Sequence, residues 1–317
     1  MTLSIRNRTL LAKIETTYGT DATPIGADDG VLLRSLDITP LELETVENTL
    51  VRPYMGAFQQ LIAARSARLT VEVPMTGFGS AGPAVPTPGL DALFRACALA
   101  QDITADTSVA YTPVSTQADH ESVTLYAYMD GVLHKITGAR GTVTFVMNLR
   151  EVPVFRFELQ GLYVPPVDAD LVQPDLSAYR VPQLFIFGNS TIANFLGAAT
   201  GICLNSLEIA LGNTLTYRNL VNCAEEVLIT DRQTTGSFEI EATLVATKNI
   251  WSIINSVSLS AINLTHGTAA GNRVQLASSV AQAINPSFGD SDNIVTVSGD
   301  LRFVPSAADN ELTLTVL

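Results

Sequence analysis

Charge is scarce in this sequence. Charged residues make up 15% of 317 positions, against roughly 25% in an ordinary soluble domain. Basic residues are scarcer still: 18 Lys and Arg stand against 31 Asp and Glu, a formal net charge of −13. That balance excludes a face that grips nucleic acid by neutralising phosphates. It does not exclude a surface that nucleic acid slides past. Three cysteines exclude a disulfide scaffold. One Trp and 7% aromatics leave little material for stacking sugar rings. No window approaches the ~18 consecutive apolar residues of a membrane helix. Arg6, Arg8, Lys13 and Glu15 break up the first twenty residues, which do not read as a secretory signal. The expectation is synthesis in a reducing cytoplasm.

What is present is apolar and strand-forming. Hydrophobic residues reach 47%, enough for a large core, and the length suggests about two domains. Thr, Ser, Asn and Gln do much of the polar work, as expected of a surface that faces other subunits. Leu69, Val71 and Val73 alternate with Arg68, Thr70 and Glu72. Val143, Phe145 and Met147 alternate with Thr142 and Thr144, and Phe155, Phe157 and Leu159 with Arg156, Glu158 and Gln160. Val295, Val297, Leu301 and Phe303 continue the rule. Each such strand has one buried and one polar face. Two helices are predicted, over Gly89–Leu99 with Leu90, Leu93, Phe94 and Cys97 inward, and over Thr247–Val257 with Ile250, Trp251, Ile254 and Val257 inward.

A repeat underlies this pattern. Leu33–Ile38 reads like Leu204–Ile209, and Arg68–Val73 like Ser237–Ala242, each pair followed by a helix. Phe155-Arg156-Phe157 is echoed by Leu301-Arg302-Phe303. The division expected is 1–165, a linker over 166–200 rich in Pro and Asp, and 201–317. The formal charges are 12 − 17 = −5 for 1–165 and 6 − 14 = −8 for 166–317, so neither half is a basic module.

Catalytic and ligand motifs are thin. Gly77-Phe78-Gly79-Ser80-Ala81-Gly82 matches G-x-G-x-x-G. A dinucleotide site, however, needs the last glycine to open a helix in a parallel unit, and Pro83, Pro86 and Pro88 follow. His120, His134 and His266 lack ligand spacing. Cys203 and Cys223 read as two buried thiols. Glu225, Glu226 and Asp231 read as a solvated hairpin end. No cofactor, metal or catalytic residue is assigned. Carboxylates do recur in one strand phase: Asp37, Thr70 and Glu72 in the first copy, Glu208, Glu239 and Glu241 in the second. This is either an ordinary solvated sheet face or an acidic wall that repels a polyanion.

Three stretches resemble a known family. Leu11–Pro24 (LAKIETTYGTDATP), Tyr128–Val143 (YMDGVLHKITGARGTV) and Ile229–Arg232 with Thr235–Glu241 (ITDR, TGSFEIE) are similar to major tail tube proteins of long-tailed, siphovirus-like bacteriophages. The resemblance runs from Leu10 to about Leu301. It implies a mainly β fold: two tandem tail-tube-type β-sandwich domains, each with a short flanking α-helix and a long β-hairpin. Oligomerisation would close a β-barrel lumen. It implies no enzyme, but a virion tail subunit in stacked rings, through which phage DNA passes without specific binding. Partners would be further copies, in homotrimeric pseudo-sixfold rings, and the terminator, tape-measure and distal tail proteins, with no membrane. Asp37, Thr70, Glu72, Glu208, Glu239 and Glu241 become lumen-facing candidates. Tyr18, Thr23, Pro24, Glu47, Tyr54, Phe58, Phe78 and Arg218 become candidates for contacts between subunits and rings. The alternative is a two-domain β-sandwich binding module for glycans or receptors at a tail tip.

Overall fold

The alternating segments form strands throughout. The computed structural model describes residues 4–77, 88–198 and 201–317. Strands β1 (Arg8–Ile14), β2 (Ser35–Glu47) and β3 (Gln60–Pro74) precede helix α1 (Pro88–Ala96). Then come β4 (Leu99–Thr104), β5 (Ser108–Pro113), β6 (Val123–Met129), β7 (Val132–Asn148), β8 (Val154–Tyr163), β9 (Val167–Asp168) and β10 (Ser190–Phe195). After β11 (Leu204–Ala210), β12 (Asn213–Arg218), β13 (Glu226–Arg232) and β14 (Thr235–Glu241) comes helix α2 (Ile250–Asn255). Strands β15 (Leu259–His266), β16 (Val274–Ser291), β17 (Ile294–Phe303) and β18 (Thr313–Val316) complete the series. The fold is mainly β, as expected.

Eight strands stand side by side in the order β2-β3-β8-β7-β11-β14-β17-β16. Every neighbouring pair is antiparallel. The order β2-β3-β8-β7 thus recurs as β11-β14-β17-β16. β7 and β16 are long enough to leave this sheet and enter a second layer. There the start of β7 pairs with β6, and β6 with β1. The start of β16 likewise pairs with β15, and β15 with β10. β10 lies within the 166–200 stretch. β18 pairs with β16 on one side and with β5 on the other, which joins the outer layers of the two halves. Among the described residues the sheet does not close into a barrel.

Residue pairing corrects the sequence alignment of the two copies. Leu36 stands opposite Val71, and Val71 opposite Phe157. Leu207 stands opposite Phe238, and Phe238 opposite Gly299. With Leu207 in the place of Leu36, Val71 matches Phe238 rather than Ile240, and Phe157 matches Gly299 rather than Phe303. Both shifts are even, so each side chain keeps its face. Apolar alternation is blind to such shifts.

The core lies between the two layers. Helix α1 lays Leu90, Leu93 and Phe94 onto the sheet, and the turn after it adds Cys97, all four fully buried. The Phe94 ring centroid lies 4.8 Å from Tyr111, 5.1 Å from Phe155 and 5.2 Å from Phe157. Such tilted and edge-on contacts suit the charge distribution of the rings. Beside them Asp91 accepts hydrogen bonds from Tyr111 Oη and Gln101 Nε2, both at 2.8 Å, and from Arg95 at 3.2 Å. Burial raises the pKa of both Asp91 and Tyr111. Every polar group on this buried helix side therefore has a partner, as burial demands.

Both helices are shorter than predicted. α1 stops at Ala96 because Ala98 takes a left-handed conformation, φ 56°, that turns the chain into β4. α2 begins after Asn249, whose side chain accepts from the Ser252 N–H at 2.9 Å, and ends before Val257, φ 55°. Its two turns cannot sustain a four-residue apolar face. Ile250 is buried and Ile254 partly so against the core, but Val257 and Trp251 are exposed, the Trp251 ring lying 4.9 Å from that of Phe288. Val295 is also exposed, because it pairs with Asp290 near the end of the β16–β17 hairpin, past the core.

Candidate assembly surfaces

The inner sheet turns its apolar face to the core and leaves the other open. One rung of that open face runs Asp37–Thr70–Glu158–Thr142. The next runs Ser35–Glu72–Arg156–Thr144–Ala210–Thr235–Arg302. Then come Val154–Val146–Glu208–Ser237–Asp300 and Asn148–Ser206–Glu239–Ser298. Glu241 lies one rung further, opposite Thr296. Asp37, Thr70, Glu72, Glu208, Glu239 and Glu241 therefore share one face, from strands of both halves. None of the six is buried.

Sequence reading missed two members of this face. Glu158 and Asp300 are exposed upon it. The alternation Phe157-Glu158-Leu159 held the signal for the first, and Gly299-Asp300-Leu301 for the second. Over these rungs Asp37, Glu72, Glu158, Glu208, Glu239, Glu241 and Asp300 face Arg156 and Arg302, so seven negative charges meet two positive ones. Arg156 is committed to Glu72 at 3.1 Å. The rest of the face is largely hydroxyl, with Ser287 and Ser298 oxygens 2.9 Å apart. At a Debye length of about 8 Å, the negative potential of such a face is felt only close to it.

The lateral edges of this sheet are β2 and the second half of β16. Among the described residues β2 pairs only with β3. Beyond Gln282, β16 pairs only with β17. Unpaired backbone along such edges invites another strand.

Past the Ser66–Leu162 rung, the last shared with β8, the β2–β3 hairpin continues alone. Gln60 to Arg65 extend it by ~20 Å at ~3.3 Å per residue. At its tip the Arg52 guanidinium lies 4.1 Å from the Phe58 ring centroid and 4.9 Å from that of Tyr54. It donates to the carbonyls of Gly56 and of Ala57, the latter at 2.9 Å. Glu47 and Tyr54 are exposed and Phe58 is half-buried. β12–β13 forms a separate two-stranded sheet. Arg218 there pairs with Glu226 at 3.4 Å, and Glu225 accepts from Tyr217 Oη at 2.9 Å. That acidic cluster is a set of satisfied pairs.

Other candidates are corrected. Pro24 is buried within the chain. Tyr18 is half-buried, accepts from the Val227 N–H at 2.6 Å, and lies under Arg140, 5.0 Å from the ring centroid. Tyr18 thus ties the N-terminal arm to β13. Thr23 is exposed. Phe78 and the rest of 78–87 lie outside the described residues. Cys203 and Cys223 are both exposed, because one precedes β11 and the other sits in the β12–β13 loop. Gly77 is wedged against backbone, where a Cβ would lie 2.0 Å from the Gly271 carbonyl oxygen, and it donates to Asn272 Oδ1 at 2.8 Å. His120 and His266 bond to the Val114 carbonyl at 3.0 Å and the Ser190 hydroxyl at 2.9 Å. Among the described residues no group of three His, Cys, Asp or Glu side chains is placed to hold a metal. No helix there is long and apolar enough to cross a membrane.

The family model described as "Phage tail tube protein" matches residues 5–308. No curated protein matches the chain.

Proposed function

The chain belongs to the phage tail tube protein family, and we propose that it is the major structural subunit of a tail tube, its open acidic face turned to the lumen. The observation that carries this reading is the eight-strand sheet, with one unpaired strand edge on each side and carboxylates on its uncovered face. Two copies of one domain, about 1–165 and 201–317, each supply four inner strands. Three chains then bring 3 × 8 = 24 strands around the axis, with pseudo-sixfold symmetry. Closure removes both edges, which is how a sheet of this kind avoids open-ended aggregation. Stacked rings form the conduit for genome ejection, and terminator, tape-measure and distal tail proteins meet its ends. The subunit catalyses nothing. Asp37, Thr70, Glu72, Glu208, Glu239 and Glu241 line the passage, where carboxylates outnumber Arg156 and Arg302 by seven to two once Glu158 and Asp300 are counted, and DNA meets a net negative wall. Glu47, Tyr54, Phe58, Thr23 and Arg218 are left as contacts between subunits and rings.

The β7–β11 junction supplies a template for closure. There Glu208 faces Val146. In the repeat β2 takes the place of β11 and β16 that of β7, so Asp37 meets Gly289 of the next copy and Thr39, the counterpart of Ala210, meets Ser287, the counterpart of Thr144. The double variant Thr39→Cys with Ser287→Cys tests this, with Cys203 and Cys223 changed to Ser. It is expected to give covalent dimers and trimers on oxidation, and nothing larger. End-on views in negative-stain electron microscopy are expected to give six-lobed rings with threefold modulation. Persistent monomers that neither cross-link nor enter purified phage tails would sink the tube reading in favour of a binding module.

A further inference from the structure

An apolar groove of about 510 Å³ lies at the end of the molecule opposite the β2–β3 hairpin tip. β2 runs toward its tip as β7 numbering falls, whereas the groove sits past the end of β7 and the start of β11. Leu149, Phe185, Phe187, Ile192, Ile202 and Leu204 line it. Phe187 is fully exposed, and Leu149 is 42% exposed. Glu241 is the one charged residue among the lining side chains, and Cys203 stands beside it.

The hairpin tip has the complementary character. Val51 and Met55 are fully exposed, and Leu50 and Tyr54 largely so. Arg52 is the one charged residue between Asn48 and Gln59. Its bonds to the Gly56 and Ala57 carbonyls, and its place between two rings, fix the shape of the loop. A tip ordered in advance loses less entropy on docking. Apolar surface this exposed on both features marks contact sites.

We propose that the hairpin tip of one copy docks in the Phe185–Leu204 groove of a copy in the next ring, Val51 and Met55 filling it and Arg52 meeting Glu241. The two surfaces lie at opposite ends of the same sheet, so a chain cannot satisfy itself and a second copy must. A contact between different surfaces of identical chains repeats without end unless it closes, which gives a linear stack with a fixed polarity. This inference rests on the proposed ring assembly, and its test separates the two.

Met55→Glu and Phe187→Glu change exposed side chains on either partner. Each is expected to leave rings intact while raising the concentration needed for stacking at least tenfold, read by sedimentation and electron microscopy. Met55→Cys, with Cys223→Ser, is expected to join copies through the native Cys203 into ladders beyond the trimer, and adding Cys203→Ser is expected to abolish them. Partial burial, then Glu241 nearby, raises the Cys203 thiol above its ordinary pKa, so oxidation is run at alkaline pH. Stacks that persist in both Glu variants, or a Met55→Cys protein that forms no Cys203 cross-link, would overturn the docking while leaving the rings standing. Loss of rings in Met55→Glu would also overturn it, by assigning the tip to contacts within a ring. Failure of the unaltered protein to form any ring would instead overturn the reading beneath.

Discussion

Phe94→Ala is expected to lower the unfolding free energy by about 3–5 kcal/mol, the range for a buried phenylalanine cut back to its β-carbon. The side chain is fully buried and its ring touches Tyr111, Phe155 and Phe157. Those rings belong to β5 and β8 in different layers, so one truncation loosens the helix, the inner sheet and the outer sheet together. Helix α1 spans nine residues, too few to persist without that packing. Urea unfolding followed by tyrosine fluorescence and far-ultraviolet circular dichroism would measure the loss. A change below about 1 kcal/mol would mean that the core does not depend on this cluster.

Reversing charge at two positions of the acidic face is expected to change delivery without changing assembly. Glu72→Lys with Glu208→Lys alters the face by four charges per chain, hence by twelve in a ring of three. Both side chains stand clear of the apolar core, and Glu72 gives up a partly buried pair with Arg156, a loss on the order of 1 kcal/mol. Tubes of ordinary length should form. Tubes of the variant should retain short duplex DNA with an affinity that falls steeply as salt rises, the signature of released counterions, and genome release from phage that carry it should slow on the order of tenfold. Normal release together with no DNA retention would remove these residues from the lumen.

Much of this was legible in the residues themselves. Alternation at Leu69, Val71 and Val73 gives the face of β3, and the same rule at Val143 to Met147 gives that of β7. Six of the acidic-face residues share a phase for the same reason. Pairing partners were not legible, because a period of two is unchanged by any even slip. Phe157 therefore matched Phe303 in sequence while its structural counterpart is Gly299. Strand order is also invisible to local pattern. Nothing near Ser108–Pro113 indicates that β5 pairs with β18, since partners so distant in sequence leave no local trace. The groove escaped notice for a related reason: its lining comes from Leu149, Phe185–Ile192 and Ile202–Leu204, none of which forms a motif alone.

The bond between β5 and β18 also sets a clock. Ala110 pairs with Thr315, so 315 − 110 = 205 residues of synthesis separate the two. At roughly 5–20 residues per second on the ribosome, β5 waits about 10–40 s for its partner to be made. Through that interval the first half carries a free edge in its outer layer, joined only to β4. Nascent chains crowded on one messenger RNA hold many such edges at once. Holding chaperones therefore have their moment of greatest use before the chain is released, and synonymous codon changes that slow translation of the second half would lengthen it.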